Sequence, residues 1–163
     1  MTGQTSQVKS IFVLFGFLAV CFGAAAFGSI FTNPQSDWYA NLAKPSFQPP
    51  SWIFGPVWAV LYFLMAMAGW IVWGKAGGFK KVPGAMIAFA VQLCLNAVWS
   101  PFFFGMHNIA VAMVILFLLW AAILVTMLLF WRIDFRGCWL MVPYLAWVSF
   151  ATILNYYIYI LNQ

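Results

Sequence analysis

Charge is what this chain lacks. Two carboxylates, Asp37 and Asp134, and seven lysines and arginines make only 6% of its 163 residues charged, and there is one histidine. A soluble domain carries about 25%. The two carboxylates fall on opposite sides of the span arrangement derived below, so they cannot cooperate as a general acid–base pair. His107 has no neighbouring carboxylate or cysteine in sequence, which leaves no catalytic triad and no metal site. Cys21, Cys94 and Cys138 are scattered, form no CxxC pair and show no zinc spacing; buried free thiols are expected. The run Gly74-Lys75-Ala76-Gly77-Gly78 lacks the phosphate-loop pattern and reads as a turn. No acid or base lies inside an apolar run, so nothing suggests proton or ion coupling. No run alternates with period two, which argues against a β-barrel.

Apolar residues fill the chain instead, at 66% hydrophobic and 21% aromatic. No water-shielded core of this length could hide so much apolar surface, so the chain belongs in lipid. A spanning helix needs about 20 mainly apolar residues. Residues 11–31 and 45–74 carry no charge, and residues 82–131 carry none apart from His107. At about 1.5 Å per residue the last of these is more than twice the bilayer core. It must turn, and Pro, Gly and Asn cluster within residues 100–108. Residues 137–161 are again long enough. The fold class is therefore an all-α integral membrane protein, a single domain forming a five-transmembrane-helix bundle, with helices near 9–31, 52–74, 82–105, 108–131 and 137–161. The first segment, with Lys9 and Ala24-Ala25-Ala26, has features of a signal peptide, but its apolar run continues to Phe31 and reads as a retained span.

Lys9, Lys75, Lys80, Lys81, Arg132 and Arg136 share one side of such a bundle, and Lys44 stands alone on the other. The positive-inside rule puts the N-terminus in the cytoplasm and the C-terminus outside. Lysines beside anionic headgroups account for the net charge of +5 without any nucleic-acid partner.

The connection at residues 32–51 is longer than a span-to-span turn requires. It is stiffened by Pro45, Pro49 and Pro50 and framed by Trp38 and Trp52. Long ordered loops serve as lids or binding loops, while an interfacial tether is the plainer reading. Among the ten tryptophans, Trp58, Trp99, Trp120 and Trp147 lie deep in spans, where their N–H groups need partners. Gln92, Asn96 and Asn155 also lie inside spans. Trp58 and Tyr62, then Gln92, Asn96 and Trp99, then Trp147, Ala151 and Asn155 each share one helical face. These faces fall beneath the proline loop. They form either an aromatic, amide-lined pocket or interhelical packing without a ligand.

Several stretches resemble one family. Trp38-Tyr39, Lys44-Pro45 through Pro49-Pro50, Pro56-Val57-Trp58 with Leu61-Tyr62, Gln92 through Asn96 with Trp99-Ser100-Pro101, and Pro143 through Trp147 with Phe150-Ala151 and Leu154-Asn155 are similar, in order, to the translocator protein or tryptophan-rich sensory protein family. The resemblance implies a five-helix bundle, often a homodimer, binding porphyrins and isoquinoline or benzodiazepine-type ligands under the first loop. It implies Trp58, Asn96 and Trp147 as pocket residues, and Ala151 as a small residue affecting ligand and sterol binding. Trp58 and Trp147 also match tryptophans linked in some bacterial members to light-dependent porphyrin breakdown. Phe47 stands where many members carry tryptophan, and no basic residue follows Tyr156-Tyr157, as the family's sterol motif requires.

The resulting expectation is a multi-pass protein of a bacterial membrane, in contact with lipid. It would bind porphyrin, protoporphyrin IX or haem, with no covalently attached cofactor, as sensor, scavenger or transporter. The candidate ligand-binding residues are Trp38, Pro45, Phe47, Trp58, Tyr62, Gln92, Asn96, Trp99, Trp147, Phe150 and Ala151; no catalytic or metal-binding residue is assigned. A porphyrin-degrading photoenzyme and a lipid- or sterol-binding scaffold are the rivals. Helix three opens with Gly84-xxx-Ala88, a small-residue stripe that suggests a homodimer interface.

Overall fold

The computed structural model describes residues 2–163, with side chains from Gln7 onward. Its elements are α1 (Thr2–Phe31), a short α2 (Asp37–Asn41), α3 (Phe54–Ala76), α4 (Pro83–Ser100), α5 (Ile109–Trp131) and α6 (Phe135–Leu161). The five long helices are apolar enough to cross a membrane. Each packs on two others in the cyclic order α1, α3, α6, α5, α4 and back to α1. The bundle is thus a closed ring, open to an interior space only where its side chains leave one.

The helix ends follow local chemistry. Asn108 caps α5 through the Val111 amide and Asp134 caps α6 through the Arg136 amide. Gly77 ends α3 at φ 77°, a left-handed C-cap that a side chain would strain. Pro101 does not stop the fourth helix. The chain continues through a π-helical turn over Pro101–Gly105, closed by the Met106 amide on the Pro101 carbonyl at 2.8 Å. Proline brings no N–H, so the turn widens rather than breaks. The reversal is thereby confined to residues 106–108, where His107 adopts φ 54°. Pro143 is likewise carried inside α6, as helices in lipid tolerate when neighbours cover the freed carbonyl.

Glycine allows the closest approaches. A Cβ on Gly69 would stand 2.5 Å from the Phe17 ring, and one on Gly137 2.5 Å from Val72 Cγ2. Lipid supplies no hydrophobic drive between helices, so such small-residue contacts hold them together. The three cysteines are free, but only Cys21 is buried. Cys94 is exposed on α4, and Cys138 is half-buried at the edge of the core. Trp120 corrects another expectation. It lies on the bundle exterior, where its Nε1 donates to Ser149 Oγ at 2.9 Å, so it needs no interior partner.

Candidate functional site

At the end of the bundle under the proline loop the ring encloses a cavity of about 470 Å³. Ligand sites commonly run to roughly 300–1,000 Å³. Its walls come from all five long helices and are mostly apolar, with nine aromatic residues among the 26 that line it. No Asp, Glu, Lys, Arg or His lines it.

The floor is a buried polar chain. Tyr62 on α3 donates its hydroxyl to Asn96 Oδ1 on α4, and Asn96 Nδ2 donates to the Tyr144 hydroxyl on α6 at 2.8 Å. Asn96 thereby ties three helices through one amide, which its burial requires. Above the floor, Trp58 tilts against Tyr62 at 5.6 Å between ring centres and meets Tyr144 edge-on at 6.2 Å. Phe54 packs edge-on to Trp147 at 5.7 Å. Trp99 stacks on Phe103 at 5.1 Å. The indole N–H groups of Trp99 and Trp147 are buried without an acceptor among the described residues.

The loop closes the mouth. Ser36 caps α2 through the Tyr39 amide, and Tyr39 turns its buried ring to the cavity. Gln48 Nε2 donates to the Tyr39 hydroxyl at 3.1 Å. Burial raises the Tyr39 phenol above its usual pKa, with the Gln48 bond opposing, so the phenol stays neutral. The loop is held at three points. Trp38 stacks on His107 at 4.2 Å, Phe47 meets Tyr157 edge-on at 5.3 Å, and Asn162 exchanges two hydrogen bonds with the Ala43 backbone, each 2.9 Å.

Six of the eleven residues singled out from sequence line the cavity together: Trp58, Tyr62, Asn96, Trp99, Trp147 and Ala151. Trp38, Pro45, Phe47 and Phe150 do not; the first three belong to the loop and its seats, and Phe150 packs between Trp147 and Phe47. Gln92 shares a face with Asn96 but is fully buried one turn below, away from the cavity. The wall also includes Tyr39, Phe54, Ser100 and Asn155, which were not on that list. Asn155 was readable from its spacing to Trp147, whereas Phe54 and Ser100 carry no signal beyond their neighbours.

A sequence profile of the TspO/MBR family matches residues 17–161. The chain belongs to this family. It is 41% identical over 155 residues to the tryptophan-rich protein TspO of Chlorobaculum tepidum, covering 94% of this chain and 98% of that one. It is 39% identical to the tryptophan-rich sensory protein of Cereibacter sphaeroides, over 86% and 85% of the two chains. To the human translocator protein it is 40% identical, over 79% and 78%. In this TspO/MBR member the site offers aromatic surface and a few fixed hydrogen-bonding groups. It holds no nucleophile paired with a base, and among the described residues no three His, Cys, Asp or Glu side chains gather to hold a metal. Such an arrangement is suited to binding.

Proposed function

We propose that this multi-pass membrane protein binds flat, largely apolar ligands of the tetrapyrrole type, protoporphyrin IX or haem, in the cavity under the proline loop. It would act as a sensor, scavenger or transporter, and accept isoquinoline or benzodiazepine-type molecules in the same place. One observation carries the reading: a charge-free cavity walled by Trp58 and Trp147 and floored by a hydrogen-bonded amide. Aromatic pairs add about 0.5–1.5 kcal/mol beyond burial, which favours flat rings over flexible lipid chains. With no cation on the walls, the carboxylates of a porphyrin would be directed to the mouth. The names of two relatives, sensory protein and translocator protein, accord with a binding or transport role.

Titrating the purified protein with protoporphyrin IX in the dark should give saturable quenching of tryptophan fluorescence, with the porphyrin spectrum retained. Absence of saturation would sink the proposal. The same titration under illumination addresses the photochemical reading, which the row of oxidisable rings formed by Tyr62, Trp58 and Tyr144 favours. Bleaching that disappears when Trp58 or Trp147 is replaced would make the protein an enzyme.

The orientation and the assembly follow the same reasoning. Six basic residues at one end against Lys44 at the other support an N-terminus in the cytoplasm. A homodimer through α4 suits the Gly84–Ala88 stripe, since Gly84 is exposed and a Cβ there would touch nothing within its own bundle. Ala88→Phe should lower the crosslinked dimer fraction in membranes while leaving the chain folded.

A further inference from the structure

Asn155 is 2% exposed, two turns beyond Trp147 on α6 and on the cavity wall. Its Nδ2 donates to the Ile109 carbonyl, in the first turn of α5, at 3.2 Å. A carbonyl can only accept, so this contact fixes which end of the amide faces α5. Oδ1 must then face away from that carbonyl. It is buried and has no hydrogen-bond partner among the described residues. An amide oxygen left in that state costs about 1–3 kcal/mol.

Several other polar groups on the wall are already engaged. Ser29 donates to the Ala26 carbonyl, Thr32 to the Gly28 carbonyl, and Thr32 and Ser100 share a bond of 3.0 Å. The Asn96 amide is committed at both ends. Three atoms of wall residues are buried without a partner among the described residues: the Trp99 and Trp147 N–H groups, which donate, and Asn155 Oδ1, which accepts. A ring ligand with acceptors alone would satisfy the indoles and leave Asn155 unmet.

We propose that Asn155 is a specificity-determining residue. Its Oδ1 accepts a hydrogen bond from an O–H or N–H on the ligand, so the cavity selects flat ligands carrying such a donor over the same ring with the donor capped. The inference rests on the cavity being a flat-ligand site, and the test separates the two. The probes are 1-hydroxypyrene and 1-methoxypyrene, titrated at neutral pH into the full chain in detergent micelles and followed by tryptophan quenching. The hydroxyl compound should bind roughly fivefold tighter, the worth of one net hydrogen bond of about 1 kcal/mol. Asn155→Leu should abolish that preference, so that the two probes bind the variant with equal affinity. Should the leucine variant not fold, Asn155→Ala answers the same question. Equal affinity of the parent for both probes overturns the role of Asn155, as does a preference that survives the substitution. If neither probe binds the parent, the flat-ligand reading of the cavity fails, and this inference with it.

Discussion

The two ends of the bundle are built on opposite rules. At the basic end, where Lys75, Lys80, Lys81 and Arg132 gather, side chains interlock closely. Phe17 fills the notch left by Gly69, Val72 fills that left by Gly137, and Val72, Ile123, Phe130 and Met141 have no exposed surface. At the loop end, the same five helices hold a cavity, and two indole N–H groups and the Asn155 amide oxygen there are buried without a partner among the described residues. Dense packing is what specifies a unique structure. The closed end therefore supplies the stability that lets the open end keep space and unclaimed hydrogen-bonding groups for another molecule.

Glycines give the sharpest way to break that contrast. Gly69→Ala puts a methyl 2.5 Å from the Phe17 ring and should cost about 1–3 kcal/mol. Gly55→Ala, on the same helix at the cavity, meets nothing within 4 Å and should be neutral or slightly stabilising, because alanine is the better helix former. Thermal unfolding of the two variants in one detergent checks this. Equal loss in both would mean that the ends are packed alike.

Ligand binding should show the reverse asymmetry. Trp147→Phe keeps an aromatic wall and should weaken protoporphyrin binding by roughly 1 kcal/mol, a several-fold change in Kd. Trp147→Ala should cost more, because it removes most of the wall. Trp73→Phe, packed against Phe79 at the basic end, should leave the affinity unchanged. Parent-like binding by all three would reduce Trp147 to packing.

Gln92 sits between the two regimes. Both of its side-chain polar atoms are buried and unpartnered among the described residues, yet it does not line the cavity. A buried amide that makes no bond costs free energy, while an apolar side chain of similar size does not. Gln92→Leu should therefore leave the protein as stable or raise its stability by about 1 kcal/mol. A clear loss of thermal stability would show that the amide has a bonded partner in the membrane-embedded protein.

Much of this architecture could be read from the chain because lipid leaves few options. An apolar run of spanning length must be a helix, so the five spans could be placed to within a few residues. Asn96, Tyr62, Trp58 and Trp147 could be placed at the cavity because a polar or amphipathic side chain in a span has to face inward. The same argument failed for Trp120, since a hydroxyl on the exterior, Ser149, can satisfy an indole as well as an interior group can. It also could not separate Gln92 from Asn96. They share one face, and only depth along the axis decides which of them meets the cavity. The loop residues Pro45 and Phe47 were out of reach for another reason: a loop's fold depends on where it is seated. Here the seats are His107, Tyr157 and Asn162, far away in sequence.

An effect confined to acid pH is expected at the basic end, outside the membrane-spanning helices. Asp134 caps α6 and forms a two-pronged pair with Arg136, Nη2 to Oδ2 at 2.8 Å and Nε to Oδ1 at 3.0 Å. The hydrogen bond from Arg136 dominates in pulling the carboxyl down to about 2. A carboxylate whose folded pKa is depressed contributes its stability above the unfolded value of about 3.9, and loses it as pH falls toward the folded one. Between pH 7 and 5 the cap should therefore contribute a constant amount, and between about 4 and 2 it should fade. Asp134→Ala should cost about 1 kcal/mol, the usual worth of a helix N-cap. That variant should also lose the part of the acid sensitivity that belongs to this site. Since Asp37 lies in the loop at the opposite end, unfolding midpoints followed from pH 5 to 2 in the parent and in Asp134→Ala isolate the closed end's share. Identical acid profiles for the two proteins would mean that the pair, though well formed, does not contribute to holding the basic end together.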